Sequence, residues 1–299
     1  MLAGFIVVAP APLAAQQPNT PAPAVTPDAG SAPAQADEDD DAVLDPAEPD
    51  FVIVNLPTTL RLPVHKGNFR LTHRFAGNLR NGSFGEQASN LFGLDQGAII
   101  GFEYRIGIIR HVQAAAYRSS FDKTVQLYGK YDAVQQHGPV PVSLSALVSI
   151  EGTNNFQEKF APSIAVTISR KIAGRYAAYL VPTWVNNTAA SLDAIGHQHG
   201  GDQATEDPDH HDHRSTFYVG VGGRIRVSSG TYLVGEISPR ISGYAPDEVE
   251  YGFGIEERVG AHMFSLTFTN TFGTTAAQVA RGGTANSLYL GFNLARKFF

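Results

Sequence analysis

The sequence has no cysteine, a single tryptophan and two methionines among 299 residues. Without cysteine there is no disulfide framework, no thiol nucleophile and no cysteine-ligated metal. Long apolar runs are also missing. No stretch of eighteen or more apolar residues follows the first few positions, so a transmembrane helix is not expected and any membrane-embedded fold must be a barrel. Charged residues make up only 17% of the chain and are unevenly placed. Residues 1–50 hold nine acids and neither Lys nor Arg, which leaves 51–299 with 22 basic against 19 acidic residues, a net +3. Nothing resembles the basic stripe that phosphate-backbone contacts need, so no nucleic-acid partner is expected. Gly-x-Ser-x-Gly, Gly-Lys-Ser, Gly-Lys-Thr and His-Glu-x-x-His do not occur either.

What is present falls into three zones. Residues 1–16 hold an apolar stretch from Leu2 to Val8 and end in Leu13-Ala14-Ala15 before Gln16, the pattern of a secretory signal and its small-residue cleavage site. No Lys or Arg precedes the apolar stretch, so the start codon is expected to be assigned late. Residues 17–50 are rich in Pro, Ala and acid, with Asp37-Glu38-Asp39-Asp40-Asp41 at the centre. Such a composition buries too little apolar surface to offset ordering entropy and is expected to be a disordered tether. Residues 51–299 form the third zone, of repeated short strands.

From Asn68 onward, segments of about ten to thirteen residues alternate apolar and polar side chains with period two, the rhythm of a barrel. Val142, Leu144, Ala146, Val148 and Ile150 interleave with Ser143, Ser145, Leu147 and Ser149. Phe217, Val219, Val221, Gly223 and Ile225 interleave with Tyr218, Gly220, Gly222, Arg224 and Arg226, and Val249, Tyr251, Phe253 and Ile255 with Glu250, Gly252, Gly254 and Glu256. Glycine and charge crowd one face while large apolar residues fill the other. That polarity suits a lipid-facing exterior around a polar lumen. The expected fold is therefore all-β, an antiparallel up-and-down transmembrane barrel of about twelve strands with a disordered N-terminal tail.

The strands are expected near 67–76, 95–105, 109–118, 122–132, 140–152, 161–171, 174–187, 215–227, 231–241, 248–258, 261–271 and 286–298. Tight turns are expected at Ile106-Gly107, Ala173-Gly174, Ser228-Ser229-Gly230 and Val259-Gly260, and long loops at 77–94, 188–214 and 272–285. With an even strand number the turns and both termini fall in the periplasm. Pro57 and Pro63 argue against a further strand over 55–64.

Thr72-His73-Arg74-Phe75, Leu91-Phe92-Gly93-Leu94-Asp95-Gln96, Arg118-Ser119-Ser120, Phe268-Thr269-Asn270 and Gly291-Phe292-Asn293-Leu294-Ala295-Arg296 follow one another along the chain. Together they resemble a bacterial family of uncharacterised outer-membrane β-barrel proteins, over about residues 60–299. The resemblance implies a fold and a compartment, the bacterial outer membrane, while the even strand number puts the tether in the periplasm. It implies no catalytic residues. The expected partners are outer-membrane lipid and the barrel-assembly machinery, whose recognised aromatic-ended last strand is echoed by Leu288, Leu290, Phe292, Leu294 and the closing Phe298-Phe299.

Two constellations carry candidate chemistry. The first is the set that strand parity turns toward the lumen: Arg70, Arg74, Glu103, Arg105, Lys130, Arg224, Arg226, Glu236, Arg240, Glu250 and Glu256. Charges of both signs can line a selective, water-filled constriction or pair into a network that closes a narrow barrel. The second is the loop holding His197, His199, His210, His211 and His213, five of the ten histidines. Such a tract can capture Zn, Cu or Ni without specifying a tetrahedral site; no other cofactor is expected. The primary expectation is a channel or binding protein for small polar solutes or ions, with metal capture by the His-rich loop as a sharper version. A closed structural barrel is the alternative. An outer-membrane enzyme comes third, with His73 and Ser119 drawn as base and nucleophile, and the chain is not expected to be an enzyme.

Overall fold

The computed structural model describes residues 45–188, 215–245 and 248–299. Strands β1 (Gly67–Asn78), β2 (Ala98–Ile109), β3 (Val112–Ser119), β4 (Val125–Val134), β5 (Ser143–Gly152), β6 (Glu158–Ile172) and β7 (Tyr176–Val185) follow one another around a sheet. They continue through β8 (Thr216–Arg226), β9 (Thr231–Ser238), the short β10 (Arg240–Gly243), β11 (Glu250–Val259), β12 (His262–Thr269) and β13 (Tyr289–Lys297). All pairings between strands are antiparallel, and β1 pairs with both β2 and β13 while β9 pairs with both β8 and β11. The sheet therefore closes into a ring of twelve strands, with β10 as a flap on β8. Closure leaves the ring itself without an edge, so every strand of the ring finds partners for its backbone groups on both sides.

The alternation read from the sequence is the alternation of the wall. Ser143, Ser145, Leu147 and Ser149 face inward, while Val148 and Ile150 stand exposed outside. Glu250 and Glu256 are buried inward and Phe253 and Ile255 are exposed. An exterior of exposed Phe102, Tyr104, Ile164, Leu180, Val221, Leu233 and Phe264 around a charged interior is stable only against lipid.

Connections at one end are mostly tight. At Ala173 and Gly174 φ is +53° and +59°, and Arg175 N–H donates to Ile172 C=O at 3.1 Å, so the turn has the primed geometry that matches strand twist. The other end carries the longer loops, including a six-residue helix at Ala276–Arg281 whose Ala277, Val279 and Ala280 are buried in the barrel interior.

Two expectations need correction. The first turn is not at Ile106-Gly107: β2 runs on to Ile109 before the chain reverses into β3. Gly107 is needed for another reason, because a Cβ there would collide with the Pro63 carbonyl as the preceding segment crosses the inner wall. The acidic tether expected over 17–50 also ends too late. Ala47, Glu48 and Asp50 are buried inside the barrel. Residues 1–44, with the expected signal and most of the tether, lie outside the described residues.

Candidate functional site: the occupied lumen

Residues 45–66 form no strand of the wall. They enter the barrel at the turn end, fold into a hairpin and return to the same end, where Lys66 leads into β1. The exit is fixed by backbone bonds between His65 N–H and Gly107 C=O and between Gly107 N–H and Lys66 C=O. Inside, Thr58 N–H donates to Phe51 C=O and Ile53 N–H to Leu56 C=O, both at 2.9 Å, so the tip is Ile53-Val54-Asn55-Leu56. Pro57 and Pro63, which argue against a wall strand, are compatible with an irregular segment that pairs mainly with side chains.

The tip sits in a glycine socket. A Cβ on Gly220 would lie 2.5 Å from Leu56 Cδ2, one on Gly222 would lie 2.6 Å from Ile53 Cδ1, and one on Gly252 would lie 3.0 Å from Val54 Cγ1. These are the inward positions of β8 and β11, and any side chain there would take the space of the hairpin.

Wall charges bind the hairpin backbone. Glu236 accepts three consecutive amides, from Val54 (3.1 Å), Asn55 (2.7 Å) and Leu56 (3.0 Å). The Asn55 side-chain amide donates to Glu250 at 3.0 Å, and Arg74 donates to the Asn55 Oδ1 at 3.4 Å. Arg70 donates to Val54 C=O and Arg224 to Val52 C=O, both at 2.9 Å, while Arg224 also pairs with Glu256 at 2.7 Å. Lower down, Lys130 (2.8 Å) and Gln113 (3.1 Å) both donate to Leu60 C=O, and Asp132 holds the Lys130 ammonium at 2.8 Å. Arg105 pairs with Glu103 at 3.1 Å and stacks over the Phe51 ring.

Nine of the eleven residues assigned to the lumen are thus buried there or bound into its network. The other two differ. Arg226 lies at the turn rim, donating to Ser228 and Ser229 carbonyls. Arg240, at the start of β10, donates to Arg281 C=O and Glu248 C=O at the loop end. His197, His199, His210, His211 and His213 lie outside the described residues. His73 and Ser119 do not form a pair: the His73 ring stacks on Phe292 on the outer face, whereas Ser119 is buried inward.

Several site residues were not singled out from the sequence: the tip itself, Gln113, Asp132, and two that hold the hairpin stem. Asp50 meets Lys297 at 3.6 Å, and Thr59 lies 2.6 Å from the Ser169 hydroxyl. One signal was available. Phe51-Val52-Ile53-Val54 is too apolar for a solvated linker, and an inner wall bearing glycine instead of side chains leaves space that something must fill. Above the tip, the helix Ala276–Arg281 descends from the loop end, with Arg281 pairing Glu151 at 3.6 Å. Between them remains a cavity of about 70 Å³ that touches Asn55, Leu56, Arg70, Tyr128 and Val279. It is room for roughly two water molecules.

No curated protein matches the chain. Among solved structures it is similar to the KdgM porin in complex with disordered oligogalacturonate, at 5% identity and a TM-score of 0.47 over 78% of this chain and 99% of that one. It is similar to the NanC porin at 8% identity and the same score and coverage. The Acinetobacter baumannii outer membrane protein Omp33 aligns at 9% identity and a TM-score of 0.39, over 78% of this chain and 98% of that one. The model of one protein family covers residues 50–298, and the chain belongs to that family, the membrane-bound beta barrel domain DUF5777.

Proposed function

We propose that this protein is a non-enzymatic channel of the bacterial outer membrane for small polar solutes or ions, held closed by residues 45–66. The observation that carries the reading is the seating of the hairpin on Glu236 through three backbone amides, within a wall that mixes charge, hydroxyl and glycine with apolar residues such as Leu147, Val181 and Val234. Were the lumen only a structural core, apolar packing would fill it at less desolvation cost than buried ions. A charged wall has a second use, because once the hairpin leaves it lines a water-filled passage with both signs of charge. The hairpin enters and leaves at one end, so it can withdraw without threading the barrel. In this reading the tight turns and the hairpin stem face the periplasm, and assembly follows the ordinary barrel-assembly route.

The experiment is planar-bilayer conductance of the whole chain and of a variant lacking residues 45–62, each checked for barrel formation by heat-modifiable gel mobility. A nearly silent whole chain and a steadily conducting variant are the expected result. A folded variant that stays silent overturns the channel and leaves a structural barrel. Capture of Zn, Cu or Ni by the His197–His213 loop is a separate proposal that rests on sequence alone. Removing residues 196–214 should abolish cell-surface metal binding while leaving barrel assembly intact, and unchanged binding would refute it.

A further inference from the structure

Among the described residues, the connection between β1 and β2 gathers exposed apolar side chains outside the strands. Phe84 is 78% exposed, Leu91 55%, Phe92 40% and Leu94 41%, and the Phe84 and Phe92 rings meet edge-on at 5.8 Å. The loop is built and anchored. Ser83 and Glu86 cap its short helix reciprocally, Gln87 donates to Asn78 C=O at 2.9 Å, and Leu79 N–H donates to Leu288 C=O at 2.8 Å. An apolar cluster of this kind, held rigidly in water, would be a liability with no compensating contact.

Its direction is set by two glycines. In β1 the inward residues are Arg70, Thr72 and Arg74, and the opposite parity carries Phe69, Leu71, His73 and Phe75. Asn78 pairs with the inward Tyr289, which puts Gly77 on the outward side. A Cβ on Gly77 would collide with the Gly93 Cα, and one on Gly93 would lie 2.7 Å from the Gly77 Cα. Residues 91–94 therefore lean outward over the lipid face and not across the lumen mouth. Gly77 lies two residues beyond Phe75, about 7 Å along the strand, so the loop meets the upper edge of the apolar band.

We infer that this loop is a lateral membrane anchor, with Phe84, Leu91, Phe92 and Leu94 inserted among the lipids of the leaflet at the loop end. Lipid is the occupant because the cluster lies just beyond the loop-end edge, at Phe75, of the outward band that runs through Leu71 and Phe102 toward Tyr104 and that lipid already covers. Aromatic side chains favour the boundary between acyl chains and headgroups, where this edge lies. The polar residues of the loop are engaged at its rim, Arg80 donating to the Tyr251 hydroxyl at 2.9 Å and Glu86 accepting from the Ser83 hydroxyl at 2.9 Å. The inference rests on the membrane-bound barrel and not on its conducting anything.

The sequence has one tryptophan, Trp184, exposed on the outer face at the loop end of β7. It serves as the control. In vesicles of phosphatidylcholine brominated on its acyl chains, quenching of Trp184 in the unaltered protein reports that the barrel is inserted. In a Trp184→Phe, Phe92→Trp chain, the indole at position 92 should then be quenched to a comparable extent and be protected from aqueous acrylamide. A Trp184→Phe, Phe84→Trp chain gives a second reporter should the first fail to fold. With Trp184 quenched, reporters blind to brominated lipid overturn the anchor. Acrylamide sensitivity would then place the loop in water, and insensitivity to both would place it against another copy of the chain.

Discussion

Glu236 on β9 and Asn55 at the hairpin tip stand 181 residues apart in sequence, yet the carboxylate accepts the Asn55 backbone N–H at 2.7 Å. Val54 and Leu56 donate to the same side chain, so three amides that the tight tip cannot pair internally converge on one acceptor group. Each would cost about 1–3 kcal/mol if left buried and unpaired. The wall and the hairpin thus complete one another.

Replacing Glu236 with Ala should loosen the hairpin without disturbing the sheet. Single-channel recordings are expected to show more frequent opening, and limited proteolysis should cut faster within residues 51–60. Glu236→Gln keeps one carbonyl acceptor and should lie between Ala and the native side chain. If neither recording nor cleavage changes, the carboxylate does not hold the hairpin.

Gly220→Leu tests the socket. The new side chain would begin 2.5 Å from Leu56 Cδ2, so either the hairpin or the strand must move. Overpacking of this kind typically costs about 1–3 kcal/mol. Because the hairpin has a free route out and the closed sheet does not, displaced hairpin and raised conductance are expected with normal heat-modifiable mobility.

The lack of cysteine allows a clean lock. Thr59 Oγ1 and Ser169 Oγ are 2.6 Å apart across hairpin stem and β6, so Thr59→Cys with Ser169→Cys should form a disulfide under oxidation. Combined with Glu236→Ala, the oxidised protein should stay closed and open on addition of a thiol reductant. Conductance indifferent to reductant, with the bond verified by mass spectrometry, would argue against hairpin withdrawal.

Arg224 and Glu256 are completely buried and 2.7 Å apart. Arg224→Met strands the carboxylate and should destabilise the barrel by about 3–5 kcal/mol in urea titration, whereas adding Glu256→Leu should recover much of the loss. A single variant as stable as the native chain would show that solvent reaches Glu256.

The anchor loop should respond to acid. Hydrogen bonds from the Ser83 backbone and hydroxyl hold the Glu86 carboxyl below its usual 4.5. A depressed folded pKa contributes order that is complete above the ordinary value and is lost as pH falls through the lowered one. Ser83→Ala should therefore move the Glu86 titration upward and begin loop fraying at higher pH. NMR of a side-chain-labelled protein in detergent reads both.

Much of the fold was legible because its signals are local. Ser143 to Ile150 alternates in sequence and in the wall alike, since side chains along any strand point to opposite faces. The turn at Ala173-Gly174 was legible for the same reason. Gly107 misled because a glycine needed for a close approach of two backbones looks identical to one needed for a turn. The charges at Arg70, Arg74, Glu103, Arg105, Lys130, Arg224, Glu236, Glu250 and Glu256 were legible as inward-facing. Their partners were not.

Sequence alone, then, determined a twelve-stranded wall, its apolar outside and its charged inside, because a period of two is written into consecutive residues. Only the tertiary structure decided what fills the interior. Glycine at 220, 222 and 252 and carboxylate at 236 suit a column of water as well as a folded-back chain. The choice depends on long-range contacts, in which Phe51 to Leu62 reach strands as distant as β13, where Lys297 lies over the Phe51 ring 246 residues away. Burial of that apolar segment and pairing of its amides favour the occupied lumen.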